Sequence, residues 1–217
     1  MPRSLFSVPA LEFEARFDKF SGMTKASRHL FYIVAGFALG LAGLASLAYS
    51  GLAERGPLGS ASIGGPFAMT SQDGRVVTNR ELEGRPYLVF FGYTHCPDFC
   101  PTALLDISAV FKELGPDKKI AALFITVDPA RDTPEALRAY LENFDPRIIG
   151  LTGDPAKTES IAKAFRVYVK KGVSANGDYT VDHTGVVYLM DKRGRFVNAF
   201  NLSKPPKQAA RELENYL

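Results

Sequence analysis

The apolar and polar positions of the chain fall into three regimes. From Leu30 to Ala53, 24 consecutive residues carry no charge and leave no polar face. At about 1.5 Å per residue such a helix spans a hydrocarbon core of roughly 30 Å with room to tilt. Tyr32 and Tyr49 lie near its two ends, where interfacial aromatic rings belong. Residues 54–66 form the second regime, a stretch rich in Gly, Pro and Ser that reads as a flexible tether. From Phe67 to Leu217 short apolar runs alternate with amphipathic segments, as expected of one folded domain.

Within that domain, Asp73-Gly74 is a hairpin turn signal between Phe67–Thr70 and Arg75–Val77. Tyr87–Phe91 and Ile120–Val127 are unbroken apolar runs of the kind found in buried strands. A helix pattern covers Ala103–Leu114. Asp132-Thr133-Pro134 and Asp154-Pro155 each place a cap residue before a proline, so helices are expected to about Phe144 and Phe165. Ile148–Leu151 is a short strand between them. Tyr179–Met190 and Arg195–Phe200 read as a late antiparallel hairpin, and Ser203 to Leu217 as a terminal helix. Strands alternating with helices imply right-handed crossovers and a mainly parallel sheet, covered on both faces. The late hairpin makes the sheet mixed. The expected fold is therefore α/β: a thioredoxin-like mixed sheet flanked by helices, preceded by one N-terminal transmembrane helix.

Charge orients the anchor. Residues 1–29 hold five basic residues (Arg3, Arg16, Lys19, Lys25, Arg28) against three acidic ones, whereas only Glu54-Arg55 follow the span. The positive-inside rule then leaves residues 1–29 in the cytoplasm and residues 54–217 across the membrane. The apolar run is longer than a signal-peptide core, so an uncleaved anchor is expected. A mitochondrial transit peptide is the rival reading, but such peptides avoid acidic residues and Glu12, Glu14 and Asp18 stand here. The expectation is a bacterial inner-membrane protein with a periplasmic domain; the alternative is the mitochondrial inner membrane, facing the intermembrane space. A net charge of +3 without a basic, aromatic-interleaved stripe argues against nucleic-acid binding.

The chemistry concentrates in Phe90–Pro101. Cys96 and Cys100 are the only cysteines of the chain. The loop they close is too short to staple a fold, and two thiols are too few for a four-sulfur zinc site. They read as a reactive or metal-binding pair. Pro101 at the first helical position would make Cys100 the N-cap, where the helix end favours a thiolate. Thioredoxin-type oxidoreductases separate their cysteines by two residues, often after a Trp; here three intervene, and the chain has no Trp. The wider loop can close a disulfide or aim both sulfurs at one ion, and two sulfurs with an imidazole suit copper. His183, in Asp178–Gly185, is either the third ligand or an ordinary loop histidine. His95 adjoins Cys96 but would point away from it in an extended loop, and His29 lies on the far side of the membrane.

Three stretches together resemble the Sco/SenC family of membrane-anchored copper proteins: Phe91–Thr102, Val127–Pro134 and Tyr179–Thr184. The resemblance runs from about Gly64 to Leu217. It implies a thioredoxin-like protein that delivers copper to the Cu-A site of a cytochrome c oxidase subunit, served by an upstream copper donor and a thiol reductant. It also implies copper ligands Cys96, Cys100 and His183, with Cys96 and Cys100 able to form a redox-active disulfide. Asp182 and Asp98 are possible outer partners of the site, and Asp128, Arg131 and Asp132 either meet a partner protein or serve local caps and ion pairs. No catalytic residue in the enzymatic sense is expected. The competing reading is a thiol–disulfide oxidoreductase that keeps the Cu-A-site cysteines reduced; it needs the thiols but not His183.

Overall fold

A computed structural model describes residues 24–53, 63–173 and 179–217, and the side chains of all but 47–53. Most of the expected N-terminal segment and of the tether, and Asp178 before the late hairpin, lie outside the described residues. The chain divides after Ser60 into two units.

Among its described residues the first unit contains one helix, α1, Lys25–Ala53. It begins five residues before the uncharged run, because nothing in Lys25–His29 opposes helix. Among the described residues one segment, Lys25–Ser46, is long and apolar enough to cross a membrane. Large side chains along it, including Leu30, Phe37 and Leu39, are exposed.

The second unit is the α/β domain. Ile63 and Phe67 pack on its core, and the Gly64 N–H donates to the Ala164 carbonyl, so the fold takes in the end of the expected tether. Its elements are β1 Ala68–Ser71, β2 Val76–Thr78, a 3-10 turn Asn79–Leu82, β3 Tyr87–Gly92, α2 Phe99–Leu114 and β4 Ala121–Thr126. They continue as α3 Pro134–Leu141, β5 Ile148–Thr152, α4 Pro155–Ala164, β6 Val169–Lys171, β7 Val181–His183, β8 Val187–Met190, β9 Phe196–Ala199 and α5 Pro206–Glu214.

Seven strands form one sheet in the order β2-β1-β5-β4-β3-β8-β9. Only β3, β4 and β5 run parallel; β1, β2, β8 and β9 pair antiparallel. The sheet is mixed as expected but not mainly parallel, because an antiparallel hairpin extends it on each side. The apolar runs of β3 and β4 are buried at every position. Alternation along β3 feeds two faces. Phe90 meets Phe124, which in turn meets Tyr140 of α3, while Phe91 meets Phe165 after α4 and Tyr188 of β8. Phe90, Phe91 and Phe124 are core, as their sequence context indicates.

The expected long strand Tyr179–Met190 is broken in two. Val181–His183 leaves the main sheet and pairs with Val169–Lys171 in a separate two-stranded sheet, β6-β7. Only after Gly185 does the chain join β3 as β8. A Cβ on Gly185 would stand 2.6 Å from the Phe99 ring, so the break needs glycine where the chain crosses that ring. Helix α3 stops at Leu141 rather than Phe144; Thr133 caps it by accepting the Ala136 N–H, and Asp154 caps α4 by accepting that of Lys157.

Candidate metal site

β3 delivers the cysteine loop. At its end Gly92 makes room: a Cβ there would lie 2.5 Å from Phe124 and 2.9 Å from the Cys100 sulfur. The chain then turns through Tyr93–Pro97, held by the Cys96 N–H donating to the Tyr93 carbonyl at 3.2 Å. Thr94 fixes the other side of the turn. Its N–H and hydroxyl both donate to the Asp132 carboxylate, which also receives the Thr126 hydroxyl.

Helix α2 starts at Phe99, with Asp98 as N-cap, and not at Pro101. The first N–H groups of a helix have no intrahelical partner, so proline two residues inside the helix removes nothing the helix needs. Asp98 occupies the cap position without a side-chain capping bond, and its carboxylate is exposed. The Cys96 sulfur takes that role instead: the Cys100 N–H donates to it at 3.4 Å. Cys100, now inside the first turn, is fully buried, and Cys96 is half-buried.

His183 arrives at the end of β7. Its Nε2 is 3.5 Å from the Cys100 sulfur. The Cys96 and Cys100 sulfurs and one imidazole nitrogen lie within 4.8 Å of one another. The imidazole Nδ1 faces the Thr184 carbonyl at 3.2 Å. A carbonyl only accepts, so Nδ1 carries the proton and Nε2 presents its lone pair toward the sulfurs. Phe90, Tyr93 and Phe99 surround the imidazole edge-on, with ring centroids 6.3, 5.9 and 6.5 Å away.

Burial governs the charge state. It pushes the Cys100 thiol far above its ordinary range, outweighing the Tyr93 backbone contact that favours the thiolate. This reverses the expectation of an easily ionised Cys100. Burial also lowers the His183 imidazole, against weaker opposing effects of the Thr184 carbonyl and the Asp182 charge. Cys100 and His183 therefore meet as a neutral thiol and a neutral imidazole. A soft cation that replaced the thiol proton would find two sulfurs and one nitrogen already facing inward.

The remaining residues separate clearly. His95 is exposed, with its Nδ1 3.0 Å from the Thr94 hydroxyl, and stands outside the three-residue cluster. Asp182 is exposed and does not orient the imidazole; the Thr184 carbonyl does, and Asp182 acts on it only through charge. Asp128 and Asp132 are 1% and 0% exposed. Asp128 pairs with Arg131 and accepts the Tyr179 hydroxyl at 2.7 Å, so both aspartates brace the loops from inside rather than meet a partner. Sequence reasoning passed over Thr184, whose backbone oxygen does the orienting, and the rings of Tyr93 and Phe99 as walls of the site.

The sequence profile of the SCO1/SenC family matches residues 55–217. Protein SCO1 homolog 1, mitochondrial, of Arabidopsis thaliana is 40% identical over 150 residues, covering 68% of this chain and 45% of that protein. A SCO2-like protein of Rickettsia prowazekii is 40% identical over 156 residues, covering 70% and 76%. Protein SCO2, mitochondrial, of Saccharomyces cerevisiae is 44% identical over 146 residues, covering 65% and 48%. The match thus spans about half of the plant and yeast proteins. Among solved structures, Bradyrhizobium japonicum ScoI with copper bound superposes with a TM-score of 0.70 at 53% identity, covering 72% of this chain and 100% of that one. Yeast Sco1 with copper bound gives 0.65 at 36% identity, covering 71% and 88%.

Proposed function

The chain belongs to the SCO1/SenC family, and from that membership we propose that it is a membrane-anchored copper chaperone. In this reading copper is cargo, held by Cys96, Cys100 and His183 and passed to the Cu-A site of a cytochrome c oxidase subunit during oxidase assembly. The observation that carries it is the convergence of two sulfurs and one imidazole nitrogen within 4.8 Å, with His183 lying 83 residues beyond Cys100 in the chain. Two soft sulfurs with one borderline nitrogen favour copper over the hard cations. The copper-bound structures of the Bradyrhizobium and yeast relatives support the same ion here.

The residues divide the work. Cys100 is the buried ligand and must lose its proton on loading, so loading releases acid. Cys96 is the accessible ligand, where the thiolate of an acceptor can begin an exchange. His183 completes the set from outside the helix. The α1 helix is consistent with a single-pass anchor. Charge bias in the leader supports a cytoplasmic N-terminus and a periplasmic copper domain; relatives with mitochondrial names keep the intermembrane-space alternative open to test. An upstream copper donor and a reductant for the thiol pair complete the proposed set of partners.

The test is copper titration of the reduced full-length chain in detergent against a competing chelator, beside Cys100→Ser and His183→Ala. The expected result is one tight copper per chain, a sulfur-to-Cu(II) charge-transfer band, and severe loss in both variants. Unchanged affinity in His183→Ala would remove the imidazole from the site. Protease accessibility in spheroplasts reads the topology: protection of the copper domain would reverse the proposed orientation.

The proximity of the two free thiols also supports a second reading, disulfide exchange with the cysteines of the client. It predicts that oxidase assembly survives His183→Ala but not Cys100→Ser, whereas the chaperone reading predicts failure in both.

A further inference from the structure

We infer that Tyr93 is the positioning residue that holds the His183 imidazole against the two thiols. The inference rests on the copper-site reading above. Tyr93 touches both halves of the site through three different parts of the residue. Its carbonyl accepts the Cys96 N–H at 3.2 Å, which sets the cysteine loop. Its hydroxyl accepts the Val181 N–H at 3.3 Å, two residues before His183 on the same strand. Its ring meets the imidazole at 5.9 Å and 86°, an edge-to-face contact.

The hydroxyl contact has a particular geometry. Successive N–H groups of a strand point to opposite sides. β7 uses one side for its ladder with β6, as in the register Lys171↔Val181 and the Gly172 N–H donating to the Thr180 carbonyl. The Val181 N–H is left to the other side, where no described strand lies and the phenol oxygen stands in for a third strand's carbonyl. Both residues are buried, at 3% and 4% exposure, so water cannot replace that acceptor cheaply. Besides the contact of His183 itself with Cys100, the described hydrogen bonds that tie this hairpin to the rest of the domain include this one and the Tyr179 hydroxyl to Asp128. The latter lies at the far end of the strand from the imidazole. Apart from the imidazole's own contacts with Cys100 and Thr184, the Tyr93 hydroxyl thus supplies the described hydrogen bond nearest His183, and Phe in its place would keep the ring contact while orphaning the Val181 amide.

The test uses the full chain with Tyr93→Phe, alone and combined with His183→Ala. Without copper, hydrogen exchange at the Val181 amide should accelerate roughly two- to tenfold, the worth of one net hydrogen bond, while β3 and β4 amides hold. With copper, release to a chelator should accelerate by a similar factor, and the Cu(II) charge-transfer band should shift. Both copper effects should vanish in the His183→Ala background, because Tyr93 acts through that imidazole. An equal effect in that background, or unchanged Val181 exchange, overturns the proposal. If the unmodified chain takes up no copper, the chaperone reading falls while Val181 exchange still decides the latch.

Discussion

The cysteine loop continues directly from β3, which is paired on both sides and buried along its whole length. The His183 hairpin is a three-residue ladder outside that sheet, with every residue of β6 exposed. The sulfurs are therefore placed by the core, and the imidazole by a few side-chain and backbone contacts on the surface of the domain. Local opening follows contact density, so the imidazole half should open more readily than the sulfur half. If copper binds as proposed, this arrangement keeps its two sulfur ligands fixed and gives the imidazole a lower barrier to departure. That asymmetry suits an ion that must be held and then released.

Four substitutions and one change of condition can break or sharpen this contrast. The largest effect is expected for Cys100→Ser. Losing a thiolate ligand should lower copper affinity on the order of a thousandfold or more, beyond the 10- to 100-fold of outer partners. His183→Ala should also cost heavily but less than Cys100→Ser, because it removes one neutral nitrogen and leaves both soft sulfurs in place. Equal losses, read by chelator competition, would erase the asymmetry. Next is Phe90→Ala, which removes the ring between Phe99, Phe124 and His183. It should destabilise the domain by about 3–5 kcal/mol, whereas His183→Ala should shift stability by less than about 1 kcal/mol. Denaturant melts of the copper-free chain check both.

The pH response is smaller. Apparent copper affinity should rise with pH through neutrality by about tenfold per unit for each proton displaced, chiefly the Cys100 proton. Without copper the two buried groups act in opposite directions. His183 has a lowered value in the fold, so stability falls as pH drops below its ordinary 6.5. The Cys100 thiol has a raised value, so stability falls as pH climbs above its ordinary 9.0. The copper-free chain should be most stable between the two, and a monotonic pH–stability curve would contradict the neutral thiol–imidazole pair. The smallest effect belongs to Asp182→Asn. An exposed charge that does not orient the imidazole should change copper affinity by no more than about twofold at physiological salt.

The residue types and spacing of the site were readable in advance because they are chemically rare: two thiols in one turn and a histidine in a short polar loop. The central strands were readable because burial on both faces leaves unbroken apolar runs. β6 was not, since a three-residue strand with every position exposed leaves no periodicity, and β7 was read only as part of one longer strand with β8. The start of α2 was misplaced because Pro101 is as acceptable two residues inside a helix as at its first position. Thr184 orients the imidazole through its carbonyl, which every residue possesses, so no side-chain pattern could have shown it. Asp128 and Asp132 left a partner contact or local caps and ion pairs open. The local pair of Asp128 with Arg131 is present, and the distant Tyr179 hydroxyl and the Thr94 amide and hydroxyl complete the burial that sequence alone did not show.

The sulfur that accepts the Cys100 N–H gives the protein an internal gauge. That amide proton senses the electron density on Cys96, and the density differs when the sulfur is a thiol, is bonded to a metal or is joined in a disulfide. Its nuclear magnetic resonance frequency should therefore take a distinct value in each state. A single backbone signal could then follow loading, discharge and oxidation in one sample, with no label attached to either cysteine.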